Sequence, residues 1–271
     1  MGGIRMKVYI LVDMEGISGI VRSEQVSGSG SEYEEARYLL TKDVNAAIEG
    51  ALEGGATEVI VNDLHGARGG CNLIPEELHP EAKYIWGHSR WRLPLLDRKF
   101  DCAFMIGYHA MAGTEKGVLS HTFSSKSIYR VIVNNYEVGE IEIDAAILGT
   151  KGIPVTLITG CKEAVNEARR FLGNGIEGVI VKEGLSRRDA LCLSPIKARS
   201  LIKESAKRAL NKVNNVRPFT FNEPVEVIVE YIHPDFAERI AKIPGIERIG
   251  SRSVRYKAES FLSVARIFGW Y

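Results

Sequence analysis

The sequence predicts a three-layer α/β/α fold with a largely parallel sheet, joined to a smaller C-terminal α+β unit. Three observations lead there. Short β-rich apolar runs alternate with helix-length segments through the first two thirds of the chain, the spacing of a parallel sheet with crossover helices. The texture changes at Ser194-Pro195, where a helix-capping serine precedes a proline suited to the first helical position. Composition is 45% hydrophobic and 25% charged over 271 residues, ordinary for a globular chain and enough for one large domain or two smaller ones. The expected division is residues 1–193 as the α/β domain and 194–271 as the smaller α+β domain.

The elements follow in order. Residues 7–12 form a first strand, and a Gly/Ser-rich loop runs from 16 to 30. Ser31 and Glu34 have the spacing of a capping box, opening a helix to about residue 53 that Gly54-Gly55 closes. Residues 58–62 (EVIVN) read as a buried-type strand, followed by a second Gly-rich loop at 66–70. Residues 82–86 and 102–106 are further short apolar runs. Residues 128–133, then Asn134-Asn135, then a run from 138 suggest a hairpin, because adjacent asparagines tolerate the positive φ of its turn. After Gly139 the run Ala145-Ala146-Ile147-Leu148 favours a helix. Strands at 154–158 and 178–181 flank another helix. Beyond Ser194 come a helix to about residue 213, a strand at 225–231, a helix opened by Pro234, a strand pair around 246–256 and a last helix from residue 259.

Several function classes are disfavoured by bulk properties. Thirty-five basic residues against 34 acidic ones leave a formal charge of +1, with no Lys/Arg block, so a nucleic-acid partner is not expected. The apolar stretch near the N-terminus is too short for a signal peptide, and no run approaches the ~20 apolar residues of a membrane span. Cys71, Cys102, Cys161 and Cys192 are far apart without a Cys-x-x-Cys pair, which disfavours disulfides and a thiolate zinc site. The expected setting is the cytoplasm.

Five potential metal ligands fall where an open α/β sheet places its site, beyond the carboxyl ends of strands. Asp13 and Glu15 follow the first strand, His65 the second and His109 the 102–106 run; Glu140 comes just past the hairpin. In an extended segment, residues two apart project to the same side, so Asp13 and Glu15 can share a cation. Carboxylate with imidazole suits zinc, with manganese or cobalt possible, and paired metals activate water near neutral pH. His121 can be a further ligand, a general acid or base, or a core histidine on a strand. His79, His88 and His233 read as structural. Asn62 and Asp63 either terminate their strand or orient a ligating imidazole. No His-Glu-x-x-His helix, Gly-x-Ser-x-Gly elbow or phosphate-binding Gly-x-x-x-x-Gly-Lys is present.

The octapeptide VDMEGISG at 12–19 resembles the signature of the zinc-dependent D-aminopeptidases found with bacterial dipeptide-transport genes, the DppA family. The likeness continues in register through EVIVNDLH (58–65), LHPEA (78–82), GYHA (107–110), Ser120-His121, VGE (138–140) and CLSP (192–195). It implies two zinc ions per subunit: Asp13 bridges them, Glu15 and His65 complete one, and His109 and Glu140 complete the other. It also implies that His121 is the catalytic residue beside the metals. Family members assemble as a ring-shaped homodecamer whose inner channel admits short peptides, a soluble assembly with no membrane partner. The expected activity is therefore removal of the N-terminal residue from short peptides containing D-amino acids. Alternatives on the same residues are a di-metal amidohydrolase, an L-peptidase or a phosphoesterase; a non-catalytic peptide-binding accessory of a transport system is a reading of another class.

Overall fold

The computed structural model describes residues 6–87 and 91–271. Its principal sheet has seven strands in the order β3-β2-β1-β4-β7-β8-β9. These are β1 (Met6–Val12), β2 (Ala56–Asp63), β3 (Lys83–Ile85), β4 (Cys102–Tyr108), β7 (Val155–Cys161), β8 (Glu177–Gly184) and β9 (Ala190–Cys192). All neighbours pair in parallel except β8 and β9. The central strands are continuous apolar runs because they are covered on both faces: Val8 to Val12 and Cys102 to Ile106 have no solvent exposure.

Helices form the outer layers. From β1 the chain crosses through α1 (Ser31–Glu53) to β2 on one side, and from β7 through α3 (Lys162–Leu172) to β8 on the other. Right-handed crossovers in opposite directions put these helices on opposite faces. α4 (Pro195–Leu210) packs on α1, and α2 (Glu140–Gly149) packs on α3, which completes the three layers. Ser194 caps α4, its hydroxyl accepting from the Lys197 N–H, and Pro195 sits at the first helical position as expected.

A second, antiparallel sheet has the order β11-β12-β10-β5-β6. It comprises β5 (Ile128–Val133), β6 (Tyr136–Val138), β10 (Val225–Tyr231), β11 (Glu247–Arg248) and β12 (Ser253–Ala258), with α5 (Pro234–Ile240) and α6 (Phe261–Ile267) packed against it. The β5–β6 turn has Asn134 at φ 48° and Asn135 at φ 70°, the asparagine turn anticipated. A boundary at residue 193 does not follow the division between the sheets. β5 and β6 precede it yet pair with β10, because the exposed edge of a two-stranded hairpin is stabilised by a third strand wherever in the chain that strand arises.

One local expectation is corrected. Ser31 is the first residue of α1, not its cap; the cap is Gly30 at φ 92°. Glu34 turns outward instead, bonding Arg37 at 2.7 Å and Arg68 at 3.0 Å, so the box spacing is present without the box. Among the other histidines, His79 Nδ1 accepts from the Glu81 N–H, and His233 sits at the N-terminal boundary of α5 without a side-chain hydrogen bond to it. His88 lies outside the described residues.

The carboxyl ends of β1 and β4 are drawn together by Gly107. It adopts φ 76°, and a Cβ there would lie 2.2 Å from the Asp13 carbonyl oxygen. The Gly16 N–H donates to the Gly107 carbonyl at 2.7 Å, and the Asp13 N–H to Ile106 at 2.9 Å. Gly107→Ala is therefore expected to lower unfolding free energy by about 3 kcal/mol or more, because both the backbone conformation and the contact forbid the methyl. Denaturant titration of the two proteins measures it.

Candidate metal centre

Adjacent parallel strands β2, β1 and β4 end at the same edge and deliver His65, Asp13 with Glu15, and His109. Glu140 arrives from the first turn of α2, immediately after β6. Asp13, Glu15, His65, His109 and Glu140 are all buried, between 2% and 8% exposed, and His121 is only partly so. The carboxylate of Asp13 divides its oxygens between the two halves of the cluster. Oδ1 lies 3.2 Å from His65 Nδ1, and Oδ2 lies 3.2 Å from His109 Nε2. Glu15 Oε2 is 3.2 Å from His65 Nδ1, and Glu140 Oε1 is 3.4 Å from His109 Nε2.

The outer nitrogens of the imidazoles determine what the inner ones can do. His65 Nε2 faces the Val26 carbonyl at 2.9 Å, His109 Nδ1 faces Ala110 at 3.0 Å, and His121 Nδ1 faces Leu119 at 2.9 Å. A carbonyl only accepts, so each outer nitrogen carries a proton, and each ring in its neutral form turns a lone pair toward the carboxylates. Lone pairs facing carboxylate oxygens repel unless a cation lies between them. Two donor atoms each about 2.0–2.1 Å from a tetrahedral zinc ion lie about 3.3 Å apart, the spacing seen here. Glu15 Oε2 is also buried without a hydrogen-bond donor, as a metal-ligand oxygen would be. The residues fit a pair of divalent cations. His121 stands slightly apart: its Nε2 is 3.9 Å from Glu140 Oε1, while its ring stacks on His109 with centroids 4.0 Å apart.

With only protein charges present, the titrations are strongly displaced. Burial, then the neighbouring Glu15 charge, raises Asp13. Burial also opposes ionisation of Glu15, but His65 overrides it and holds that carboxyl well below its usual range. Burial disfavours protonated His109, yet Glu140 and Asp13 push it up to about 10. A site whose carboxylates demand this much positive charge accepts metal ions in place of protons.

Residues that sequence reasoning missed brace the candidate ligands. Arg92 donates to Glu140 Oε2 at 2.6 Å and to both oxygens of Asp144 at 2.8 and 3.0 Å, and Tyr108 Oη donates to Asp144 at 2.8 Å. Arg92→Met leaves Asp144, which has no exposed side-chain area, with an uncompensated charge and frees Glu140. Metal affinity is expected to fall about 10- to 100-fold, read by competition with a chromophoric chelator. Lys182, fully buried on β8, donates to the carbonyls of Glu15 at 2.6 Å, Ile17 at 2.9 Å and Ile20, fixing the loop that carries Glu15. The sequence signal was a single lysine in the apolar run GVIVKEG. Asp63 and Asn62 do not orient an imidazole ring. Asp63 accepts from the backbone N–H of His65 and from Asn72, and Asn62 donates to the Arg92 carbonyl, because Val26 already occupies the outer nitrogen of His65.

Buried carboxylates and imidazoles converging at the carboxyl edge of a parallel sheet define a metal-dependent α/β enzyme. The sequence profile of the family described as D-aminopeptidase matches residues 6–270, so the chain belongs to the D-aminopeptidase family of metallopeptidases. A D-aminopeptidase of Bacillus subtilis (strain 168) is 36% identical over 262 residues, covering 95% of this chain and 93% of that protein. The solved structure of the Zn-dependent D-aminopeptidase DppA from Bacillus subtilis, described as a self-compartmentalizing protease, superposes with a TM-score of 0.91 at 34% identity. It covers 97% of this chain and 95% of its own.

Proposed function

We propose that this chain is a zinc-dependent aminopeptidase that releases the N-terminal residue of short peptides containing D-amino acids, with two ions per subunit. Asp13 would be shared between them, with Glu15 and His65 holding one ion and His109 and Glu140 the other. The observation that carries this reading is the set of imidazole–carboxylate spacings around the divided Asp13 carboxylate, 3.2 to 3.4 Å, with the outer nitrogen of each imidazole facing a backbone carbonyl. When bound, the metals polarise the scissile carbonyl and activate water near neutral pH.

The chain's own residues do the rest. Glu140 keeps its ligand geometry through Arg92, and the Glu15 loop is held by Lys182. The buried walls exclude bulk water, which strengthens the electrostatics within. His121 is the catalytic residue: its Nε2 lone pair takes up a proton and delivers it to the leaving amine. Its outer nitrogen is fixed on the Leu119 carbonyl, so the ring presents one nitrogen to the substrate.

Homo-oligomerisation is part of the proposal. It rests on the self-compartmentalizing relative and on the family resemblance, which indicates a decamer restricting access to short peptides. No helix among the described residues is long and apolar enough to cross a membrane, and a cytoplasmic setting is proposed with the activity.

Amino-acid release from D-alanyl-D-alanine and L-alanyl-L-alanine by the zinc-loaded protein tests the reading. The expected result is cleavage of the D,D peptide alone, lost on chelation and restored by zinc. Cleavage of only the L,L peptide would remove the chirality assignment, and cleavage unaffected by chelation would remove the metals.

A further inference from the structure

We infer that the cavity on the His121 side of the metal centre is a carboxylate subsite, in which Arg187 and Arg188 bind the free C-terminal carboxylate of the substrate. The inference rests on the aminopeptidase reading and narrows it to peptides that end in an unblocked carboxylate close to the scissile bond.

The cavity has a volume of about 440 Å³, and its walls include Ser120, His121, Ser125, Tyr129, Arg187 and Arg188. That is the size of a pocket for a small ligand. None of its described lining residues is acidic. Arg187 and Arg188 are exposed, and neither guanidinium has an ion pair among the described residues. Arg187 spends only its Nε, which donates to the Ser120 carbonyl at 3.2 Å, leaving its terminal amino groups free for a bidentate carboxylate.

The arginines are on a fixed support. They lie in the turn joining β8 to β9, where the Leu185 and Ser186 N–H groups donate to the Asp189 carbonyl. The Ser186 hydroxyl donates to the Asp189 carboxylate at 2.7 Å, so the nearest acid in the chain is occupied by a serine. The turn is docked onto the segment that carries His121: the Leu119 N–H donates to the Arg187 carbonyl at 2.9 Å. Gly184 permits the approach, since a Cβ there would lie 1.8 Å from the Lys116 carbonyl oxygen.

A second cleft, bordered by His65, differs in charge. It is about 290 Å³, and its lining includes His65, Asp63, Phe123 and Arg92, whose guanidinium is already committed to Glu140 and Asp144. Uncommitted cationic groups therefore line only the His121 cavity of these two. A short peptide carries a single obligatory anion, its C-terminal carboxylate, and this is where it is matched. Extended chain covers about 3.3–3.6 Å per residue, so a cation placed near the catalytic histidine selects for very short peptides.

The test compares D-alanyl-D-alanine with its C-terminal amide on zinc-loaded wild type and on the Arg187→Ala/Arg188→Ala double variant. Wild type is expected to favour the acid in kcat/KM by about tenfold to a hundredfold, the worth of a charge-assisted hydrogen-bonded pair. The double variant should lose that preference through KM, its acid-to-amide ratio in kcat/KM falling to near unity, and Arg188→Lys should restore part of it. Equal use of acid and amide by wild type, or equal slowing of both by the variant, would overturn the inference. Calorimetric binding of the same two ligands to metal-loaded His121→Ala protein gives a readout independent of turnover. Arginine-dependent binding of the acid without cleavage by wild type would remove the aminopeptidase reading and leave the subsite. Arginine-independent binding of the acid would remove the subsite.

Discussion

Asp13→Ala is expected to release both metal ions and abolish hydrolysis while leaving the fold intact. Asp13 is the one carboxylate in contact with both imidazoles, Oδ1 on the His65 side and Oδ2 on the His109 side, so its loss removes a ligand from each half at once. Removing an orienting partner one shell out typically costs about 10- to 100-fold in metal affinity or activity, and loss of a shared ligand should exceed that. The fold tolerates the change because burial and Glu15 already disfavour the Asp13 charge when no cation offsets it. Elemental analysis after desalting, with circular dichroism as the control, checks this. Retention of two equivalents of metal would refute the bridging assignment, and Glu15→Ala, which touches only the His65 half, should leave one.

His121→Ala should behave in the opposite way, keeping its metals and losing turnover. General acid–base groups contribute about 10²–10⁴-fold to rate, and a fall of that size in kcat is expected with KM little changed. The ring lies 3.9 Å from Glu140, beyond the 3.2–3.4 Å spacing of the other donor pairs, which is why it is assigned to proton transfer rather than coordination. Loss of metal from this variant would make His121 a ligand of the His109–Glu140 half.

The two variants separate along a line already visible in the sequence. Asp13, Glu15, His65 and His109 were found because each follows a short strand, and in a parallel sheet successive strands end at one edge. Glu140 was found beside the hairpin, although the route that brings it to that edge runs through the second sheet. The position of Ser194 follows from a local rule, since helix-end hydrogen bonds are satisfied within a few residues, whereas strand register and the close approach of Gly107 to Asp13 join distant segments.

What the sequence left open depends on contacts between distant segments. The capping-box spacing at Ser31 was overridden by a positive φ at Gly30 and by arginines that draw Glu34 outward. The second sheet spans residue 193 because β10 adds to the β5–β6 hairpin, with Tyr231 opposite Ile128 and Val227 between Val133 and Tyr256, a partnership that no local pattern encodes. Arg92, Lys182, Arg187 and Arg188 carried no motif.

The sequence alone determined the fold class and pointed to Asp13, Glu15, His65, His109 and Glu140 as a cluster, because strand periodicity and ligand chemistry are properties of short segments; His121 was singled out by family resemblance. Only the tertiary structure decided which nitrogen of each imidazole faces inward, which basic residues are spent on ligands, and which remain free beside His121. Those outcomes are set by hydrogen bonds and charges meeting across the sheet edge, where residues far apart in the chain compete for the same partners.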